Sequence, residues 1–401
     1  MSTASPTKFT GSFTQQEPIL VEAIEAAVSV LQSGRLHRYN LAGDEVGEVA
    51  QLEAEYRDWQ GSKYCVAVTS GGQALQIALR ACGVQPGDPV LTNAFTLAPV
   101  PSAISAVGGK AILVEIDANL RLELDDLEAK IASSGARFLL LSHMRGHLCD
   151  MDRLMQICDA AHVTVIEDCA HTMGARWNGT RSGNFGKIAC FSTQTYKHMN
   201  SGEGGFLTTN DATLAARATI LSGSYMLYGR NGAGPESDAF EQARYDMPNC
   251  SARMDALRAA ILRPQLALLD PNVARWNMRY AIVEERLKTH SKITTIALPV
   301  QETHVGSSIQ FRMPDLTSLQ RRAIVAAASA RGVELKWFGA AEPVGFTSAH
   351  PSWHYVATQD LPQTDTILAT LFDMRLPLSF SQADCALIAD LICDTVTEVA
   401  P

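Results

Sequence analysis

The chain has 401 residues, with 42 acidic against 33 basic side chains, a formal charge of −9 and 46% hydrophobic content. No Lys/Arg-rich run occurs, which argues against a general binder of nucleic acid or acidic membranes. No stretch approaches the roughly 18 uninterrupted apolar residues of a bilayer span. At about 150 residues per domain the length suggests two or three domains, enough to bury a large core without staples. The start, Met1 to Phe9, lacks an apolar signal core, so a cytoplasmic location is expected. The nine cysteines are odd in number and scattered, with no C-x-x-C pair, and are expected to be buried thiols acting as small hydrophobes.

In chain order, Pro18–Ser33 reads as an amphipathic helix stopped by Gly34. Seven candidate strands follow: Tyr64–Val68, Pro89–Thr92, Ala111–Ile116, Phe138–Ser142, Val163–Asp168, Ile188–Ser192 and Gly205–Thr209. Several are apolar on successive residues, which suits a sheet covered on both faces. Helical spacing fills Gly72–Arg80, Pro99–Val107 and Met151–Ala160, the last led by Asp150 as an N-cap. Strand–helix–strand repetition implies an α/β fold with a mostly parallel, doubly wound sheet.

Tyr225–Asn249 is rich in Gly, Pro, Asn and Arg and reads as a long loop. A helical stretch from Arg253 to Thr289, broken at Pro264 and Pro271, leads to short strands and two helices, Thr317–Arg331 and Ser381–Glu398. The expected division is a large domain, 1–270, and a small α+β C-terminal domain, 271–401.

Three features of the large domain carry chemistry. The strand Tyr64–Val68 runs through Thr69-Ser-Gly-Gly-Gln73 into a helix, whose first N–H groups suit a phosphate; such turns also serve tight geometry alone. The strand Val163–Asp168 ends in two carboxylates, where one could pair with a protonated pyridine nitrogen or merely cap a helix. The strand Ile188–Ser192 leads to Lys197 and then Ser201-Gly-Glu-Gly-Gly205. A desolvated lysine there can act as an amine nucleophile, and Ser192 can donate to a phosphate; the plain alternative is a solvated surface lysine. Phosphate cradle, pyridinium carboxylate and Schiff-base lysine together are the apparatus for pyridoxal 5′-phosphate (PLP).

The ordered motifs Glu167-Asp-Cys-Ala-His-Thr-Met-Gly-Ala175, Gly183-Asn-Phe-Gly186, Cys190-Phe-Ser192, Lys197 and Gly202-Glu-Gly-Gly205 resemble the DegT/DnrJ/EryC1/StrS sugar aminotransferases. Those belong to the fold type I, aspartate-aminotransferase-like PLP enzymes. The likeness extends to Val66–Leu79, to the run from His143 to Asp152, to Arg253-Met254 and to Met374-Arg-Leu-Pro-Leu378, and so covers most of the chain. It implies Lys197 as the Schiff-base lysine, Asp168 as the pyridinium partner and His171 beside the cofactor's 3′-oxygen. It also implies phosphate contacts from Gly72, Gln73 and Ser192. In this family a second subunit completes the site, which implies a homodimer with Ser251 and Arg253 reaching across. The family's Asn position is Ser251 here, whose reach is shorter.

Other positions depart from the family pattern. The ring-stacking aromatic falls on Leu97, so either Leu97 or Phe95 covers the pyridine. Arg145 replaces a Tyr, and Gln194 replaces a His. Lysine is retained at 197, where dehydrating members carry His.

The resemblance implies transfer of an amino group from Glu or Gln to a keto sugar, nucleotide-linked or acidic. A lyase or epimerase on the same scaffold, or a non-catalytic regulator retaining the fold, are the alternatives. Arg35, Arg38, Tyr39 and Arg145 are candidate substrate contacts, since a guanidinium forks onto an anion. Gly34–Asn40 has a slight likeness to the matching turn in keto-octulosonate transaminases. His143 and His147, four apart, have a metal-like spacing on a helix but follow a strand into a turn, and no metal site is expected. Trp353-His354 is expected to be ordinary surface or packing.

Overall fold

The computed structural model describes residues 8–241, 243–343 and 349–401. The leading Met1–Thr7, read above for a signal core, lie outside them. A seven-stranded sheet forms from β1 (Tyr64–Val68), β2 (Pro89–Asn93), β3 (Lys110–Val114), β4 (Phe138–Ser142), β5 (Thr164–Asp168), β6 (Ile188–Ser192) and β7 (Gly205–Thr209), in the order β1-β7-β6-β5-β4-β2-β3. Only β7 is antiparallel to its neighbours. Each strand falls within two residues of its sequence-based expectation, because continuous apolar runs fit a sheet buried on both faces. Along β4, Phe138 and Leu140 enter one core with Val66, Ile77 and Ile104, while Leu139 and Leu141 enter the other with Leu154 and Val165.

The helices end where local chemistry stops them. Gly34 closes Val21–Ser33 at φ 68°, and the Asp150 carboxylate accepts from the Arg153 amide at 3.0 Å to open Met151–Ala160. The expected loop 225–249 contains one helical turn, Tyr228–Arg230, and a short helix, Ser237–Glu241. The long C-terminal stretch departs from expectation. It divides into Ala256–Leu266 and Leu269–Leu287, so the break follows Pro264 rather than falling on it. Pro271 sits in the first turn of the second helix, where its missing N–H costs nothing.

A second, antiparallel sheet has the order β8 (Thr294–Thr295), β9 (Ser308–Arg312), β11 (Leu371–Arg375), β10 (Lys336–Trp337). Alternation sends Ile309, Phe311, Phe372 and Met374 into a core beneath the helices Ser318–Ala330 and Gln382–Val399. The N-terminal segment joins this core rather than the large sheet's. Phe9 and Phe13 meet Phe380 edge-to-face at 5.0 and 4.9 Å between ring centroids, burying aromatic area that a surface segment would leave wet. Trp353 is buried against Ala94 and Leu113, a packing role. Among the described residues, no helix is long and apolar enough to cross a membrane, and all nine cysteines are free thiols.

Candidate active site

The site lies at the carboxyl ends of β4, β5 and β6, where open α/β sheets hold ligands. A pocket there is lined by Gly71, Gly72, Leu97, Asp168, Ser192 and Lys197, among others. One wall is the start of helix Gly71–Ala81. Its first amides have no intrahelical acceptors, and Ser70 caps it by accepting from the Gln73 amide at 3.1 Å. The glycines are needed for approach. A Cβ on Gly71 would stand 2.8 Å from the Ser192 Cβ, and one on Gly205 would stand 2.8 Å from the Gly71 nitrogen and 2.7 Å from the Phe191 carbonyl oxygen. Gly71, which sequence reasoning passed over in favour of Gly72 and Gln73, therefore sits against Ser192. The Gln73 amide is occupied by the Ser70 cap.

Asp168 is buried at the end of β5. Its Oδ2 accepts from the Ser142 hydroxyl at 3.1 Å, and Oδ1 accepts from the Ala170 amide at 3.2 Å. Burial raises its pKa, and the Lys197 charge draws it back. A buried carboxylate with only partial compensation suits a cation facing it. The neighbouring Glu167 faces away. It accepts from the Gly183, Phe185 and Gly186 amides and from His143 at 3.1 Å, which ties the 183–186 turn to the strand. Donor atoms of His143, Glu167 and Cys169 lie within 4.8 Å of one another, but Glu167 already has these partners and Cys169 meets the Ser182 hydroxyl at 3.2 Å. His147 bonds Gln310 at 2.8 Å, so the two histidines have separate partners.

The Lys197 Nζ lies 2.8 Å from the His171 Nε2. Burial pushes the Lys197 pKa down to about 7, against the pull of Asp168, with Arg145 and Arg375 lowering it further. Burial and the Lys197 charge hold His171 well below the usual imidazole range. The His171 Nδ1 accepts from the Arg145 amide at 3.3 Å, which leaves the ring's proton on Nε2, directed at the amine. A neutral amine accepting that proton's hydrogen bond is the arrangement of a nucleophile.

Leu97 lines the pocket, whereas Phe95 is fully buried and packs edge-to-face on Phe338 at 5.1 Å. Leu97 shares the apolar lining of the pocket with Leu75, Pro99, Val100 and Met144. The candidate substrate contacts separate in space. Arg38 is buried in a two-bond ion pair with Glu53 at 2.9 and 3.0 Å and also donates to Asn231 at 2.7 Å, outside the pocket. Tyr39 is buried beside it, its hydroxyl donating to Asn231 at 3.2 Å. Within one chain Arg38 and Tyr39 therefore meet at Asn231, away from the Lys197 pocket. Arg35 pairs with Glu45 on the surface. Arg145 bonds Asp373 at 2.6 Å and lines a larger chamber beside the pocket. Ser251 and Arg253 do not line the pocket of their own chain. Arg253 donates to the Gly223 carbonyl at 2.8 Å and lies over the Tyr225 ring, next to exposed Met226 and Leu227.

A seven-stranded, mostly parallel sheet with a half-buried lysine, a carboxylate and a glycine-bounded helix start at its carboxyl edge defines the fold type I PLP-dependent aminotransferases. The chain belongs to the DegT/DnrJ/EryC1/StrS aminotransferase family, whose sequence model matches residues 19–392. It is 29% identical over 78% of its length to GDP-perosamine synthase of Caulobacter vibrioides, covering 80% of that protein. It is 30% identical over 73% of its length to L-glutamine:scyllo-inosose aminotransferase of Streptomyces griseus, covering 69% of that enzyme. The crystal structure of 3-amino-5-hydroxybenzoic acid synthase superposes with a TM-score of 0.79 at 26% identity, over 96% of this chain and 98% of that one.

Proposed function

We propose that this aminotransferase uses PLP to move an amino group from Glu or Gln to a keto sugar, nucleotide-linked or acidic. The observation that carries the reading is the Lys197 amine, held near neutrality and facing the same pocket as Asp168 and the Gly71–Gly72 helix start. The residues fit the cofactor chemically. Gly72 and the neighbouring Gly71 amide, with the Ser192 hydroxyl, would hold its phosphate; Asp168 would hold its ring nitrogen protonated; Leu97 would cover its face. Gln73 contributes through the helix start it helps cap. Bound there, PLP supplies an electron sink for the carbon losing its proton. The Lys197 Nζ would hold the cofactor through its aldehyde carbon, with loss of water, and once released would take up and return the proton at the substrate carbon. His171 holds the amine by its Nε2–H, and Ser142 orients Asp168.

The assembly read here is a cytoplasmic homodimer with shared sites, in which Ser251 and Arg253 reach the partner's cofactor phosphate. Exposed Tyr225, Met226 and Leu227 beside Arg253 give such a contact an apolar border. The large part, 1–270, holds the cofactor. The small part, 271–401, shares its core with Phe9 and Phe13 and walls the chamber beside the pocket.

The test is spectroscopic. Adding L-glutamate or L-glutamine to the PLP-loaded protein should convert the cofactor's absorbance to that of its amine form, and a keto sugar should reverse it. An unchanged spectrum with both donors would sink the aminotransferase reading.

A further inference from the structure

Beside the Lys197 pocket lies a chamber of about 760 Å³, between Tyr196 and the small sheet. That volume lies within the roughly 300–1,000 Å³ range of small-molecule sites. The small sheet builds its wall by strand alternation. Asp373 is opposite Lys336 on one side and Gln310 on the other, with Arg375 two residues along the same face, while the intervening Phe372 and Met374 enter the core. The polar ladder therefore faces the large domain. The ladder's carboxylate, Asp373, is already engaged by Arg145 at 2.6 Å and by the Gln310 amide at 2.7 Å, and Glu334 also lines the chamber. Arg375 has no ion pair among the described residues. Its guanidinium lies over the Tyr196 ring, 4.0 Å from the centroid, and Tyr196 precedes Lys197. That stacking fixes the plane of the fork while leaving its N–H edge for a ligand.

We propose that Arg375, seated on Tyr196, holds a carboxylate borne by the keto substrate itself, so that the acceptor is a sugar acid rather than a nucleotide-linked sugar. The inference rests on the aminotransferase reading and narrows its substrate class. Two observations favour a sugar acid. The aromatic rings lining the chamber are already engaged: Tyr196 by Arg375, Trp337 by Phe372, and Phe13 by Phe9 and Phe380. Each of these rings has one face or edge already engaged, which leaves a nucleobase less ring surface to stack on. Arg145, Lys336 and Arg375 line the chamber together, and Arg375 sits on Tyr196, the residue before Lys197, so a carboxylate held there would lie near the reacting amine.

The experiment uses the PLP-loaded dimer and calorimetric binding of D-glucuronate, D-glucose and UDP, with the L-glutamate half-reaction followed separately by absorbance. D-glucuronate should bind at least tenfold more tightly than D-glucose or UDP. Arg375→Gln should weaken D-glucuronate at least tenfold more than it slows the L-glutamate half-reaction, and Arg375→Lys should recover part of the loss. Equal losses in both measurements, or one confined to L-glutamate, would overturn the proposal and assign Arg375 to the donor. UDP matching D-glucuronate, or D-glucose doing so, would overturn it as well. Arg375-dependent binding without any conversion by L-glutamate or L-glutamine would instead fault the aminotransferase reading and leave the anion site standing.

Discussion

The Lys197 Nζ and the His171 Nε2 stand 2.8 Å apart, and the Arg145 amide on the far side of the imidazole fixes which of them donates. The amine is the acceptor, so its reactivity is governed by its own protonation and not by the ring's. With its pKa pushed down to about 7, Lys197 is neutral above that pH and charged below it. The rate of PLP capture by the apoprotein should therefore fall as pH drops through 7 and level off above about 8. Borohydride trapping followed by peptide mass analysis should place the cofactor on Lys197. A capture rate still rising toward pH 10 would mean that the amine is solvated.

Gly205 makes a different kind of contribution, since its missing side chain lets β7 sit against the helix start. Gly205→Ala would drive a Cβ to 2.7 Å from backbone atoms of Ser70 and Phe191. Overpacking against backbone costs about 1–3 kcal/mol. The variant should lose that much in urea unfolding and bind PLP more weakly by fluorescence titration. Gly72→Ala, with no atom nearer than 3.9 Å to its Cβ, should be milder in stability.

Arg38 and Glu53 form a fully buried pair that also fixes Asn231 and the Ala67 amide. Arg38→Ala leaves the Glu53 carboxylate buried and short of its cation, a loss of about 3–5 kcal/mol in denaturant unfolding. Arg35→Ala, breaking a surface pair at 40% side-chain exposure, should cost under about 1 kcal/mol. A well-folded Arg38→Ala with a raised KM for the keto substrate would return Arg38 to the substrate site.

The proposed sharing of sites between subunits has a complementation test. Lys197→Ala and Arg253→Ala homodimers should each be nearly inactive. Mixed and exchanged in equal amounts they should recover up to about a quarter of wild-type activity, because half the dimers carry one intact site. No recovery, with subunit exchange verified by mass spectrometry, would place Arg253 in its own chain's chemistry or in packing alone.

Much of this was legible in the residues. The seven strands announce themselves because a sheet buried on both faces favours short continuous apolar runs, and Asp150 and Gly34 mark helix ends by local hydrogen bonding and backbone handedness. Asp168 and Ser192 end strands and Lys197 lies in the turn that follows Ser192, so locating the strands located them. The long-range partners were less legible. Arg38 looked like an anion ligand because a guanidinium looks the same in sequence whether it meets Glu53 or a substrate. Leu97 and Phe95 are two residues apart and read alike, and only the contact of Phe95 with Phe338, far along the chain, shows that the phenylalanine is spent in packing. Phe9 and Phe13 joined the C-terminal core through Phe380, a contact that no local periodicity encodes.

The sequence by itself determined the class of chemistry and the strands that carry it, because residue type and order suffice where neighbours in the chain do the work. Only the tertiary structure decided which arginines are engaged and which face the chamber. Asp373 engages Arg145, Glu53 engages Arg38, and Arg375 is left over the Tyr196 ring. Those pairings form between side chains up to 228 residues apart in the chain, and burial makes them strong enough to settle each side chain's role.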